Sequence, residues 1–98
     1  MKNTIQELLE TSKTIAVVGL SPNPERPSYR VARYLQEHGY KIIPVNPTIT
    51  EALGEKAYPS LRDVPERVDI VDVFRRSRDI PPIAEDAIAI QAKALWMQ

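Results

Sequence analysis

The stretch GLSPNPERPS, from Gly19 to Ser28, gathers the residue types that hold an anion. It follows an apolar run and leads into a helix, so backbone N–H groups and the positive end of a helix dipole converge there. Gly19 can take a positive φ or admit a close ligand, Ser21 and Ser28 add hydroxyls, and Arg26 and Arg30 add permanent positive charge. Pro22, Pro24 and Pro27 remove N–H donors but restrict the free loop, which lowers the ordering cost of binding. Each feature has a plain structural account: a glycine that turns the chain, a serine that caps a helix, arginines that are solvated. Their conjunction at one strand end points to anion binding.

A dinucleotide fingerprint would require GxGxxG here and a carboxylate at the end of the second strand to hold a ribose diol. Ser21 stands where the second glycine should be, the third glycine is absent, and the second strand ends in Asn46 and Pro47. A phosphate on the ribose would be repelled by a carboxylate and attracted by arginine, and Arg75, Arg76 and Arg78 follow a later strand. The pattern therefore favours a phosphorylated ribose over NAD. The alternative for these arginines is a solvent-facing cluster paired with Asp72 and Asp79.

Catalytic chemistry has little to work with. There is no cysteine and a single histidine, so thiol nucleophiles, disulfides and multi-histidine metal centres within one chain are excluded. His38 precedes Gly39 at the end of a helix, where an imidazolium meets the negative end of the dipole, away from the proposed phosphate loop. Ser21 and Ser28 have no base placed beside them by sequence, and Asp69 and Asp72 form no evident acid–base pair. A noncatalytic role is expected.

These residues need a frame to position them. Thr14 to Leu20 is a continuous apolar, β-branched run, as in a central parallel strand covered on both faces. Before it, Thr4 and Glu7 are spaced as a capping box for a helix with Ile5, Leu8 and Leu9 on one face, ending near Ser12. After it, Ser28 is placed to cap a helix carrying Val31, Ala32 and Leu35, with Gly39 as its left-handed terminator. Lys41 to Asn46 is a second strand in which Pro44 implies an edge or a bulge. A short strand at Lys56 to Tyr58, a helical turn from Ser60 to Val64, a strand from Asp69 to Phe74, a helix from Pro82 to Gln91 and a strand from Lys93 to Gln98 complete the reading. Alternating strands and helices give a doubly wound α/β fold with a parallel sheet, and a ligand crevice between Leu20 and Phe74 where the strand order reverses. The last strand, with Ala94, Leu95, Trp96 and Met97, is an apolar edge available to a second copy or another chain.

The 98 residues suffice for one domain, and 13 Lys and Arg against 13 Asp and Glu leave no basic stripe for nucleic acid. The apolar run Ile15 to Leu20 falls far short of the roughly 20 residues of a membrane helix. The start, Met1 to Gln6, has no apolar signal-peptide centre, so a cytoplasmic address is expected.

Three strings, VVGLSPNPERPSYRVARYLQEHGYKIIPVNP (Val17 to Pro47), LGEKAYPSL (Leu53 to Leu61) and VDIVDVFRRSRDIPPI (Val68 to Ile83), with the closing AIAIQAKALWMQ, resemble the small CoA-binding protein family. Its domain is similar to the nucleotide-binding domain of the succinyl-CoA synthetase alpha subunit. The resemblance implies a three-layer, Rossmann-like domain over residues 1–98 that holds coenzyme A by its ADP portion. Carried over by position, Gly19, Leu20, Ser21, Arg26, Ser28 and Tyr29 would surround the pyrophosphate, with Arg30 nearby. Asn46 and Pro47 would border the adenosine, and Val73, Phe74, Arg75 and Arg76 would form the opposite wall and meet the phosphorylated ribose. The family's members continue beyond the last strand here, so the resemblance also implies a short C-terminal end. Two rival readings are an enzyme, either an NAD(P)-type protein or a ligase-like subunit completed by another chain, and an interaction module pairing through the C-terminal strand.

Overall fold

The computed structural model describes residues 4–98, apart from the side chains of residues 4, 5, 8 and 9. Helix α1 spans Thr4–Thr11, ending where the sequence placed it, whereas the Thr4 cap and the Ile5, Leu8 and Leu9 face lie outside the described residues. Strands β1 (Thr14–Val18), β2 (Lys41–Val45), β5 (Ile70–Val73) and β6 (Ala94–Met97) form one parallel sheet in the order β2-β1-β5-β6. Helix α2 (Pro27–Glu37) joins β1 to β2, and helix α3 (Ile80–Ala89) joins β5 to β6. The chain order reverses at β1, which has β2 on one side and β5 on the other. This is the Rossmann-like α/β architecture expected from the alternation of strands and helices.

The continuous apolar run of β1 is explained by two cores, one on each sheet face. Ile15 and Val17 pack with Ile42, Ile70 and the α2 residues Ala32 and Leu35. Ala16 and Val18 point the other way, toward Ile43, Val71, Val73, Leu61 and Ala87 of α3. Successive residues of a strand face opposite sides, so a strand buried on both must be apolar at every position. Full burial of each such side chain contributes about 1.5–3 kcal/mol.

Pro44 lies in the middle of β2, opposite Val17, without a bulge. Its carbonyl accepts the N–H of Tyr58 at 3.0 Å, and Tyr58 returns its own carbonyl to the N–H of Asn46 at 2.9 Å. The N and O of one strand residue point to the same side, so the missing N–H of Pro44 faces Tyr58 and the ladder to β1 loses nothing.

The short strand expected at Lys56 to Tyr58 is displaced. β3 (Glu51–Ala52) and β4 (Glu55–Lys56) make a small antiparallel hairpin, and Tyr58 touches β2 through a single parallel bridge to Val45. Leu53 (φ 54°) and Gly54 (φ 77°) both take positive φ, the turn that matches hairpin twist and draws the preceding residues into pairing.

Two helix starts also differ from expectation. Ser28 does not cap α2: Arg26 occupies that position without a side-chain cap bond, and Pro27 opens the helix. Helix α3 begins at Ile80, two residues before the expected Pro82, because Pro81 and Pro82 fit in a first turn whose N–H groups have no intrahelical acceptor. Gly39 takes φ 93° directly after α2, as its terminator role requires.

Candidate functional site

The C-terminal ends of β1, β2 and β5 meet around Gly19. The Gly19 N–H donates to the Val45 carbonyl at 2.8 Å, and the Phe74 N–H donates to the Val18 carbonyl at 2.9 Å, so the three strand ends are tied together. Gly19 has φ 86°, and a Cβ there would lie 2.7 Å from the Phe74 carbonyl oxygen and 3.1 Å from Arg75 Nε. Only glycine lets the β5 end and the Arg75 side chain approach this closely.

The loop that follows is held mainly by its own polar groups. Ser28 is buried, and its hydroxyl accepts the Ser21 N–H at 3.0 Å. The Ser21 hydroxyl accepts the Asn23 N–H at 3.1 Å, the Asn23 carboxamide accepts the Glu25 N–H at 3.0 Å, and the Asn23 carbonyl accepts the Arg26 N–H at 3.0 Å. Arg30 donates to the Glu25 carbonyl at 3.1 Å, closing the loop onto α2. Across the crevice, buried Asn46 donates to the Leu20 carbonyl at 3.1 Å, while its Oδ1 accepts from the N–H and the hydroxyl of Thr48 at 3.0 and 2.8 Å. The loss of N–H donors expected from the prolines is extended by the loop's own hydrogen bonds. With three prolines and five occupied N–H groups, Leu20 and Ser28 carry the loop N–H groups without a protein acceptor among the described residues.

Arginines surround this loop and the β5 end. Several cations have carboxylate partners: Arg33 with Glu37, Lys41 with Glu66, Arg62 with Asp86, and Lys93 and Arg67 with Asp69. Arg26, Arg75, Arg76 and Arg78 have none among the described residues. The pairing with Asp72 that would have made them a neutralised cluster is absent, because Asp72 is buried and bonds Gln98 instead.

Three adjoining cavities share Arg75. The first, about 360 Å³, is lined by Gly19, Ser21, Arg26, Ser28, Asn46 and Phe74 and brings together most of the positions singled out in the sequence. The second, about 390 Å³, runs over the α3 side of the sheet past Val18, Val45, Pro47, Thr48, Leu61 and Ile83. The third, about 660 Å³, is bounded by Val31, Phe74, Arg76, Asp79 and Gln98. Leu20 and Val73 are fully buried in the core and line none of these three cavities, and Tyr29 packs against the α2-side core. Sequence reasoning missed Thr48, Ile83 and Gln98. Thr48 follows the Asn46–Pro47 pair closely enough to have been included, but the other two reach the crevice only through folding. His38 closes the far end of α2, with Nδ1 2.7 Å from the Tyr34 carbonyl and its ring stacked on Tyr34, away from these cavities.

A model of the CoA binding domain family matches residues 13–98. The chain belongs to this CoA binding domain family. It is 52% identical over 97 residues to the uncharacterized protein YneT of Bacillus subtilis, covering 99% of this chain and 72% of YneT. A solved structure of a hypothetical protein from Pyrococcus horikoshii superposes with a TM-score of 0.91 at 42% identity, over 98% of this chain and 75% of that one. An ADP-forming acetate–CoA ligase of Archaeoglobus fulgidus is 33% identical over 73 residues, which cover 72% of this chain and only 11% of the ligase. The CoA binding domain is thus shared by a small protein of similar kind and by one part of a much larger enzyme. No helix among the described residues is long and apolar enough to cross a membrane.

Two aspartates on β5 and at its entrance divide in character within this CoA binding domain. Asp69 is partly desolvated, but the N–H groups of Lys13 and Thr14 and the charges of Lys93 and Arg67 outweigh that and hold its carboxyl below the usual range. Asp72 is pushed up by burial, with the Gln98 bond only partly opposing it. A raised folded-state value means that Asp72 contributes stability fully below the ordinary aspartate value of 3.8 and loses it as pH rises through the raised one. Asp72→Asn should therefore match the wild type near pH 4 and exceed its unfolding free energy by on the order of 1 kcal/mol at pH 8. Urea unfolding at the two pH values checks this, and an equal difference at both would refute it.

Proposed function

We propose that the chain is a noncatalytic binding module for coenzyme A or acyl-CoA, held by the ADP and phosphate portion in the strand-end crevice. The observation that carries this reading is the arginine group without carboxylate partners around Gly19 and Phe74, facing a β2 end that bears Asn46 and Pro47 in place of an acid. Family membership supports coenzyme A over other phosphorylated nucleotides. In this reading the pyrophosphate lies in the Gly19 cavity, touching Ser21, Arg26 and Ser28, with Tyr29 and Arg30 supporting the helix start. The adenosine lies against Asn46, Pro47 and Thr48. The Val73–Phe74 strand end forms the opposite wall, and Arg75 and Arg76 meet the 3′-phosphate.

Isothermal titration with coenzyme A, dephospho-coenzyme A and NAD tests the reading. Coenzyme A should bind at least roughly tenfold more tightly than dephospho-coenzyme A, the scale of one charge-assisted contact, and NAD should bind most weakly. Equal affinity for the first two removes the arginine role, and no binding of coenzyme A removes the function. The β6 edge, where Met97 is 66% exposed, supports pairing with a second chain as a separate property.

A further inference from the structure

The two edges of the sheet differ in how they meet solvent. At one edge β2 carries Lys41 and Pro44, and Tyr58 exchanges hydrogen bonds with Pro44 and Asn46, so that edge is closed to another strand. At the other edge β6 has β5 on one side and no strand on the other among the described residues, and Ala94–Met97 contains neither charge nor proline. The Gln98 N–H donates to the Val73 carbonyl, so by alternation along the strand the N–H and C=O of Leu95 and Met97 face away from β5. The apolar surface continues onto α3. Ile88 is 77% exposed and Met97 66%, and Ala84, Ile88, Ala92 and Leu95 line a groove of about 200 Å³ between helix and strand. The groove's one charged residue, Lys93, is engaged by Asp69 and the Thr11 carbonyl, and Asp86 of α3 is paired with Arg62.

Extending the β6 pairing read above, and apart from coenzyme A binding, we propose that the partner is a second copy of this chain. The two copies join about a two-fold axis at Trp96, which makes one continuous antiparallel seam between two four-stranded sheets. This register sets Leu95 opposite the partner's Met97 and Met97 opposite the partner's Leu95, so each such pair exchanges both of its N–H···O bonds. The facing side chains are apolar on both sheet faces. Leu95 meets the partner's Met97 on the α3 side, and Trp96 meets the partner's Trp96 on the other. A short strand edge buries less than the roughly 1,200 Å² of a stable dimer, and the α3 flank enlarges it. A two-fold perpendicular to the sheet keeps both copies of α3 on one face, each with Ala84 and Ile88 on its β6 side. A charged partner would find no unpaired charge in this strand and groove, whereas an isologous contact needs only a surface that matches itself.

Sedimentation of the full chain from about 1 μM to about 1 mM should show a reversible rise from one to two chain masses. The emission of Trp96, the single tryptophan, should shift to the blue over the same range. Met97→Lys and Ile88→Glu, at sites exposed in the single chain, should each weaken association at least roughly tenfold and leave thermal unfolding of the dilute protein unchanged. The chain has no cysteine, so Trp96→Cys gives a lone thiol per copy. A two-fold at Trp96 brings the two Cα atoms to about 4.5 Å, and oxidation should cross-link them, whereas Leu95→Cys lies out of reach of its own equivalent. Cross-linking through Leu95→Cys and not Trp96→Cys overturns the register. A chain that stays monomeric at the highest concentration overturns the second-copy inference and leaves pairing of β6 with another protein standing. A dimer that neither Met97→Lys nor Ile88→Glu weakens overturns the inference and the β6 reading together.

Discussion

Gly19→Ala is expected to lower the unfolding free energy by about 2–4 kcal/mol and to abolish measurable coenzyme A binding. The first part of the loss is conformational, since an L-residue at φ 86° costs roughly 1–2 kcal/mol. The second is steric: the new Cβ would stand 2.7 Å from the Phe74 carbonyl oxygen, a backbone atom that cannot swing aside as a side chain does. Relief requires β1 and β5 to part at the strand ends that the Gly19–Val45 and Phe74–Val18 hydrogen bonds hold together. Gly39→Ala supplies the control, because Gly39 has φ 93° with nothing within 4 Å of its would-be Cβ, so it should lose only the conformational part. For a domain of this size each kcal/mol moves Tm by about 4–8 °C, so thermal unfolding should separate the two variants clearly. Equal Tm losses in both would show that close approach at Gly19 is unimportant.

Replacing Arg75 and Arg76 together by alanine should weaken coenzyme A binding by about 10- to 100-fold, the scale of one or two charge-assisted hydrogen bonds discounted for exposure. Dephospho-coenzyme A should lose distinctly less, because the phosphate that these residues are proposed to meet is missing from it. Neither arginine has a carboxylate partner among the described residues, so the substitution leaves no acid unpaired and should change stability by less than about 0.5 kcal/mol. Raising the salt concentration should reduce wild-type affinity more steeply than that of the double variant. Titrations of both ligands at two ionic strengths measure all of this. Equal losses for the two ligands would move the arginines from the ribose phosphate to the pyrophosphate, and no loss for either would remove them from the site.

In the proposed reading, the unpaired arginines let a loop with few available backbone donors serve a phosphate. In a glycine-rich loop the N–H groups do that work, and the chain must stay flexible enough to present them. Here the prolines and the Ser21, Asn23 and Ser28 hydrogen bonds fix the loop before any ligand arrives. Its rigidity positions Arg26 and the start of α2 at the crevice. Ser28 illustrates the change of role, since the residue that looked like a helix cap became the brace between the loop's two ends.

Periodicity and residue type were sufficient for the parallel sheet, the two covering helices and the crevice at the end of β1, because an all-apolar run such as Ile15–Val18 has no stable place except between two layers. They also placed Gly19, Ser21, Arg26, Ser28, Asn46, Phe74 and Arg75 at one crevice, which the fold brings onto a single cavity wall. Local signals failed where the deciding contact is distant in the chain. Whether Asp72 neutralises an arginine or lies buried against Gln98 depends on the alignment of β5 beside β6, and nothing in the sequence around either residue specifies that partner. The same holds for Pro44, whose missing N–H is harmless only because Tyr58 comes to lie on that side of β2, and for Ile83 and Gln98, carried to the crevice by α3 and β6. Side-chain patterning selects which face of an element is buried, whereas the identity of the neighbour across that face follows from how the layers settle against one another.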